Sequence, residues 1–126
     1  MHPDHFEQLV AEALDSLPPA LLPYLENVAV VIEEWPHPGH YARVRVSPGA
    51  LLLGLYEGVP RTRRPSALTL VPPDKITIFR GPIEYLYPGE GETRDALVRE
   101  QVRRTVLHEV GHHFGFGEEQ LRRLGY

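Results

Sequence analysis

The sequence contains no cysteine, one methionine and one tryptophan, and its only lysine is Lys75. Without cysteine there is neither a disulfide framework nor a thiolate metal site, so a tightly bound metal would have to be held by His, Asp and Glu. Charge of one sign is also missing. Thirteen Lys+Arg stand against 17 Asp+Glu, a formal net charge of -4, which disfavours a generic binder of nucleic acid or of anionic membranes. No apolar run approaches the roughly 20 residues a membrane-spanning helix needs. The start, Met1-His2-Pro3-Asp4-His5-Phe6-Glu7, is acidic where a secretory leader is basic, so the expected location is the cytoplasm. What is plentiful is proline, at 13 residues, and histidine, at seven among only 126. A length of 126 residues with 42% hydrophobic content predicts one domain spanning 1–126.

Phe6, Leu9, Val10, Ala13, Leu14 and Leu17 recur at helical spacing before Pro18-Pro19, predicting an opening amphipathic helix. Val28 to Ile32 is rich in β-branched residues and reads as a strand. The alternation from Tyr41 to Val46 predicts a second, half-exposed strand. Leu51 to Tyr56 fits a short strand or helix, and Gly58 to Pro73 is expected to be a long loop carrying Arg61-Thr62-Arg63-Arg64. Lys75 to Arg80 alternates again and predicts a strand closed by Gly81-Pro82, followed by a single helical turn over Ile83 to Tyr87. Thr93 is the expected N-cap of the longest element, a helix from Arg94 to about Phe114 striped by Val98, Val102, Val106 and Val110. Gly115 breaks it, and a short helix over Glu118 to Leu124 follows.

Chemistry concentrates in His108-Glu109-Val110-Gly111-His112. A spacing of four stacks both imidazoles on one helical face, where they can share a metal. A catalytic zinc needs a third protein ligand, an open position for water, and a carboxylate to take the water's proton. Glu109 is the candidate base. Gly115 can adopt the positive φ that turns the chain back towards the metal, and Glu118 completes His-Glu-x-x-His-x-x-Gly-x-x-Glu. Glu118 is preferred over Glu119 as third ligand because its spacing matches. With 7 His and 13 Glu in 126 residues, a shuffled chain would contain the short motif with probability of roughly 0.04 and the extended one with about 0.0005.

These residues resemble the small zincin-like metallopeptidases of bacteria, compact chains ending in His-Glu-x-x-His-His-Phe-Gly. The specific match is His108 to Leu121 (HEVGHHFGFGEEQL), with Gly54 to Pro60 and Ile76 to Pro88 also similar. The resemblance implies an α+β minimal zincin fold, a small mixed sheet packed on helices with the metal site on the long helix of the C-terminal half. It also implies Zn2+ held by His108, His112 and an acid at position 118, with Glu109 as general base. The implied activity is hydrolysis of peptide bonds in a peptide or protein substrate. Metzincins share the glycine and third ligand but place a methionine turn beneath the metal, and the only methionine here is Met1. In zincins an edge strand near the metal pairs with extended substrate, and the strand Lys75 to Arg80 is the candidate for that role.

His113 is expected to pack or hydrogen-bond, not to coordinate. Gln101 and Arg104 precede His108 on roughly the same face, where they would contact substrate, support the site or simply be solvated. Tyr85, Tyr87 and Tyr126 are candidate oxyanion donors. His37 and His40, flanking Pro38-Gly39, are read as exposed bystanders. Two other classes compete: a small metal-dependent nuclease, against which the acid at 118 and the Glu after the first His both speak, and a non-catalytic module in which metal only pins the C-terminal turn.

Overall fold

A computed structural model describes residues 1–44, 50–58 and 72–125. Helix α1 (Pro3–Asp15) opens the chain, with Pro3 in its first turn and His2 accepting the Asp4 N–H at 3.1 Å. A 3-10 helix over Pro19–Leu25 leads to strand β1 (Val28–Glu33), the one-turn helix α2 (Pro38–Tyr41) and strand β2 (Gly54–Glu57). Strand β3 (Asp74–Phe79), helix α3 (Arg80–Leu86), helix α4 (Glu92–Phe114) and helix α5 (Glu118–Arg123) complete it. The strand order is β1-β3-β2, with β1 parallel and β2 antiparallel to β3.

The predicted valine stripe is the centre of the core. Val98, Val102, Val106 and Val110 are all fully buried, facing Phe6, Leu9, Val10 and Ala13 of α1 and, from the sheet, Ile76 and Ile78. Alternation along β3 sends those two isoleucines to one face and Thr77 and Phe79 to the other, and these are also buried. Such a strand, covered on both faces, suits the middle of a sheet.

Several expectations need correction. Tyr41 ends a helical turn and does not begin a strand, because Pro38 presets φ at the first helical position. His37 and His40 close that turn reciprocally, each ring accepting a backbone N–H. Arg45 and Val46, like most of the expected loop from Gly58 to Pro73, lie outside the described residues. Gly81-Pro82 sits in the first turn of α3, where the N–H that proline lacks would have no intrahelical partner anyway. The cap of α4 is Gly91 at φ 101°, not Thr93. Strand Lys75 to Arg80 is not an edge: β3 is paired on both sides, and among the described residues β1 and β2 are the edge strands, β2 being the one packed beside α4.

Candidate metal centre

Helix α4 carries His108 and His112 one turn apart with ring centroids separated by 4.0 Å. Both line a cleft of about 670 Å3, whose other walls are Gln101, Arg104 and Thr105 of α4 and, opposite, Val44 and Leu51 to Gly54. Burial lowers the pKa of His108, and the charge of His112 lowers it further. Neutral imidazole is the ligating form, so the environment favours the state that a metal requires. The donor chemistry therefore fits a borderline cation such as zinc.

Glu109 lies between them in sequence and also lines the cleft. Its Oε1 accepts the Tyr56 N–H at 2.9 Å. Burial pushes its pKa up, against the opposing pull of that hydrogen bond and of His112. The Tyr56 contact fixes the orientation of β2. Phe79 donates its N–H to the Leu53 carbonyl, so odd-numbered positions of β2 bond to β3 while Gly54 and Tyr56 direct their backbone groups to the outer edge. Sequence reading missed this bond, because a backbone donor leaves no residue signature.

Past His112 the helix ends as expected: Gly115 is left-handed at φ 72°, and Phe116 donates back to the Gly111 carbonyl at 2.8 Å. The reversal seats α5 on α4. A Cβ at Gly111 would stand 2.8 Å from Leu121 Cδ2, so a glycine inside the motif lets the last helix approach. Glu118 is on that helix, with its side chain 90% exposed and 3.4 Å from Arg122, while Glu119 pairs with Arg123 at 2.7 Å. Among the described residues the trio whose ligand atoms all lie within 4.8 Å of one another is a different one, Glu33, His37 and His40. The sequence carried a signal for it in the Glu-x-x-x-His-x-x-His spacing, which the Pro-Gly pair between the histidines obscured.

The remaining candidates sort themselves by their partners. His113 stacks on the Tyr56 ring at 3.9 Å and approaches Asp74 at 4.0 Å, the packing role expected of it. Tyr87 donates to Gln101 Oε1 at 2.8 Å, and Gln101 donates to Thr105 Oγ1 at 3.1 Å, so both serve to brace α4. Tyr85 is exposed, and Tyr126 lies outside the described residues. Tyr56 itself donates its hydroxyl to Asp74 Oδ2 at 2.7 Å. Tyr56→Phe should cost about 1–2 kcal/mol in urea unfolding, the worth of one part-buried hydrogen bond to a carboxylate. It should leave the backbone bond to Glu109 and the zinc content unchanged; a fall in zinc would mean the hydroxyl does more than brace β2.

No helix among the described residues is long and apolar enough to cross a membrane. No curated protein matches the chain. Among solved structures, a conserved hypothetical protein from Thermus thermophilus is similar over 90% of this chain and 94% of its own, with a TM-score of 0.54 and 24% identity, a likeness of fold. The sequence model of the zincin-like metallopeptidases matches residues 25–126, a span holding the three strands of the described residues and the whole of α4 and α5. That family's proteins are classed as hydrolases built around a divalent metal, usually zinc. A match over so much of the chain means that this protein belongs to the zincin-like metallopeptidase family.

Proposed function

We propose that the chain is a zinc-dependent metallopeptidase that hydrolyses a peptide bond in the cleft beside α4. The observation that carries this reading is the juxtaposition, in one cleft, of two histidines one helical turn apart and a partly buried carboxylate bonded to the backbone of β2. His108 and His112 would hold the ion, with Glu118 as third ligand. When bound, zinc supplies Lewis acidity that acidifies water and polarises the scissile carbonyl.

The rest of the chemistry belongs to the chain's own residues. Glu109 accepts a proton from the attacking water and returns it to the departing amine; burial raises its pKa towards the working range of a group that must do both. Gly54 and the Tyr56 carbonyl, on the outer edge of β2, offer ladder positions to an extended substrate strand. To ligate, Glu118 must leave Arg122. That pair is solvent-exposed on both sides, so little opposes the exchange.

Metal content by mass spectrometry, on protein purified without an affinity tag, tests the reading together with cleavage of unfolded peptides. His112→Ala is expected to lower bound zinc by about one ion per chain and to abolish cleavage. Glu118→Ala should weaken retention of the same ion; unchanged zinc and turnover in that variant would remove Glu118 from the site. Structured RNA cleaved in place of peptide would overturn the assignment.

A further inference from the structure

Strand β1 ends on Glu33, four residues before His37, and α2 then folds His40 back beneath it. His40 is 4% exposed, lies edge-on to Phe79 at 4.9 Å, and has its Nε2 3.5 Å from Glu33 Oε2. His37 is exposed and its ring lies against that of His40, tilted by 32° with centroids 3.7 Å apart. Ligand atoms around a tetrahedral zinc, bonded at about 2.0–2.1 Å, stand roughly 3.3 Å from one another. The Glu33–His40 pair, a buried ring against a carboxylate 41% exposed, is already close to that separation at 3.5 Å. The trio as a whole falls within 4.8 Å, and the one member that must close the gap is the exposed, movable one. Two imidazole nitrogens and a carboxylate form a zinc-class donor set.

We propose that Glu33, His37 and His40 form a second binding site for a divalent transition cation of the zinc class, separate from the His108–His112 centre. The two rings decide how it works. His37 Nδ1 accepts the Gly39 N–H and His40 Nδ1 accepts the His37 N–H, both at 3.1 Å. Each ring of the metal-free chain therefore carries its proton on Nε2, the nitrogen that His40 turns to Glu33. A cation taking both Nε2 atoms shifts each proton to Nδ1, with no net release, and the two backbone N–H groups lose their acceptors. Metal and the cap on α2 thus exclude each other. The end of α2 and the segment after it are tied to the cleft: Tyr41 donates to the Ala50 carbonyl at 2.8 Å, Arg43 pairs with Glu57 at 3.2 Å, and Val44 lines the cavity. Occupancy here accordingly changes one wall of the cleft.

The test uses the full chain carrying His112→Ala, which removes the first centre, and adds Zn2+ by calorimetry and Co2+ while following fluorescence. Trp35, the only tryptophan, is two residues from His37 and reports locally. The proposal expects about one Zn2+ per chain and quenching of Trp35 by Co2+. Both should be lost when His37→Ala, an exposed position that leaves the core intact, is added. It also expects faster amide exchange at His37 and Gly39 with Zn2+. No zinc uptake by His112→Ala overturns it, as does uptake that survives His37→Ala but disappears with His2→Ala or His5→Ala. Uptake of equal size in wild type and His112→Ala, lost with His37→Ala, would support this site while removing the centre proposed on α4.

Discussion

Glu109→Gln is expected to abolish peptide hydrolysis, by about 10^3-fold or more, while zinc content stays at the wild-type level. Glutamine keeps the shape and the oxygen that accepts the Tyr56 N–H, but it cannot take a proton from water or give one to an amine. The two histidines are untouched, so a loss of turnover with retained zinc separates proton transfer from metal binding. Wild-type turnover in this variant would end the general-base assignment. A second readout comes from stability of the metal-free chain. Burial raises the Glu109 pKa above its ordinary value of 4.5, so between the unfolded and folded values the native state binds the proton more strongly. Stability must then fall as pH rises through that window and stay lowered above it. Glutamine removes the term. In the presence of chelator, Glu109→Gln should melt above wild type at neutral pH and level with it well below pH 4; melting below wild type at neutral pH would show that burial of the charge is not what shifts the group.

The proposed ligand pair and base were legible because the chemistry assigned to them imposes a fixed spacing on a helix, and a helix keeps that spacing wherever it is packed. Gly115 was legible for a related reason: its φ of 72° is a backbone state that few other residues adopt comfortably. The valine stripe of α4 could be read likewise, since periodicity survives into the core. What failed to show was non-local. Strand order depends on which strands meet, and nothing in Lys75 to Arg80 says that both of its edges are paired. Helix α2 was hidden because its capping residues are histidines, which lack the hydroxyl or carboxamide by which such turns are usually recognised. The Glu33–His37–His40 group needed both of these facts, the end of β1 and the turn of α2, before its members could be seen to meet.

Gly54→Ala is expected to lower stability by about 1–3 kcal/mol through overpacking, and to reduce turnover as well. The added Cβ would stand 2.5 Å from Thr105 Cγ2 and 3.2 Å from the Thr77 carbonyl. Thr105 cannot step aside easily: it is 7% exposed, and its hydroxyl is held by Gln101, which is held in turn by Tyr87. Relief must come from moving β2 away from α4. Thr105 sits one turn before Glu109, so the same movement stretches the bond from Tyr56 and loosens the base. Because the fault is one methyl group, it should be repairable from the other side. Thr105→Ser deletes Cγ2 and keeps the hydroxyl that Gln101 uses. The double variant should therefore recover most of the lost stability and turnover, with a coupling of at least about 0.5 kcal/mol between positions in direct contact. Thermal melts and peptide cleavage on the two single variants and the double variant measure that coupling. Additive losses would mean that the cost of the extra carbon does not come from the Thr105 methyl, and that β2 and Glu109 are positioned independently of that contact.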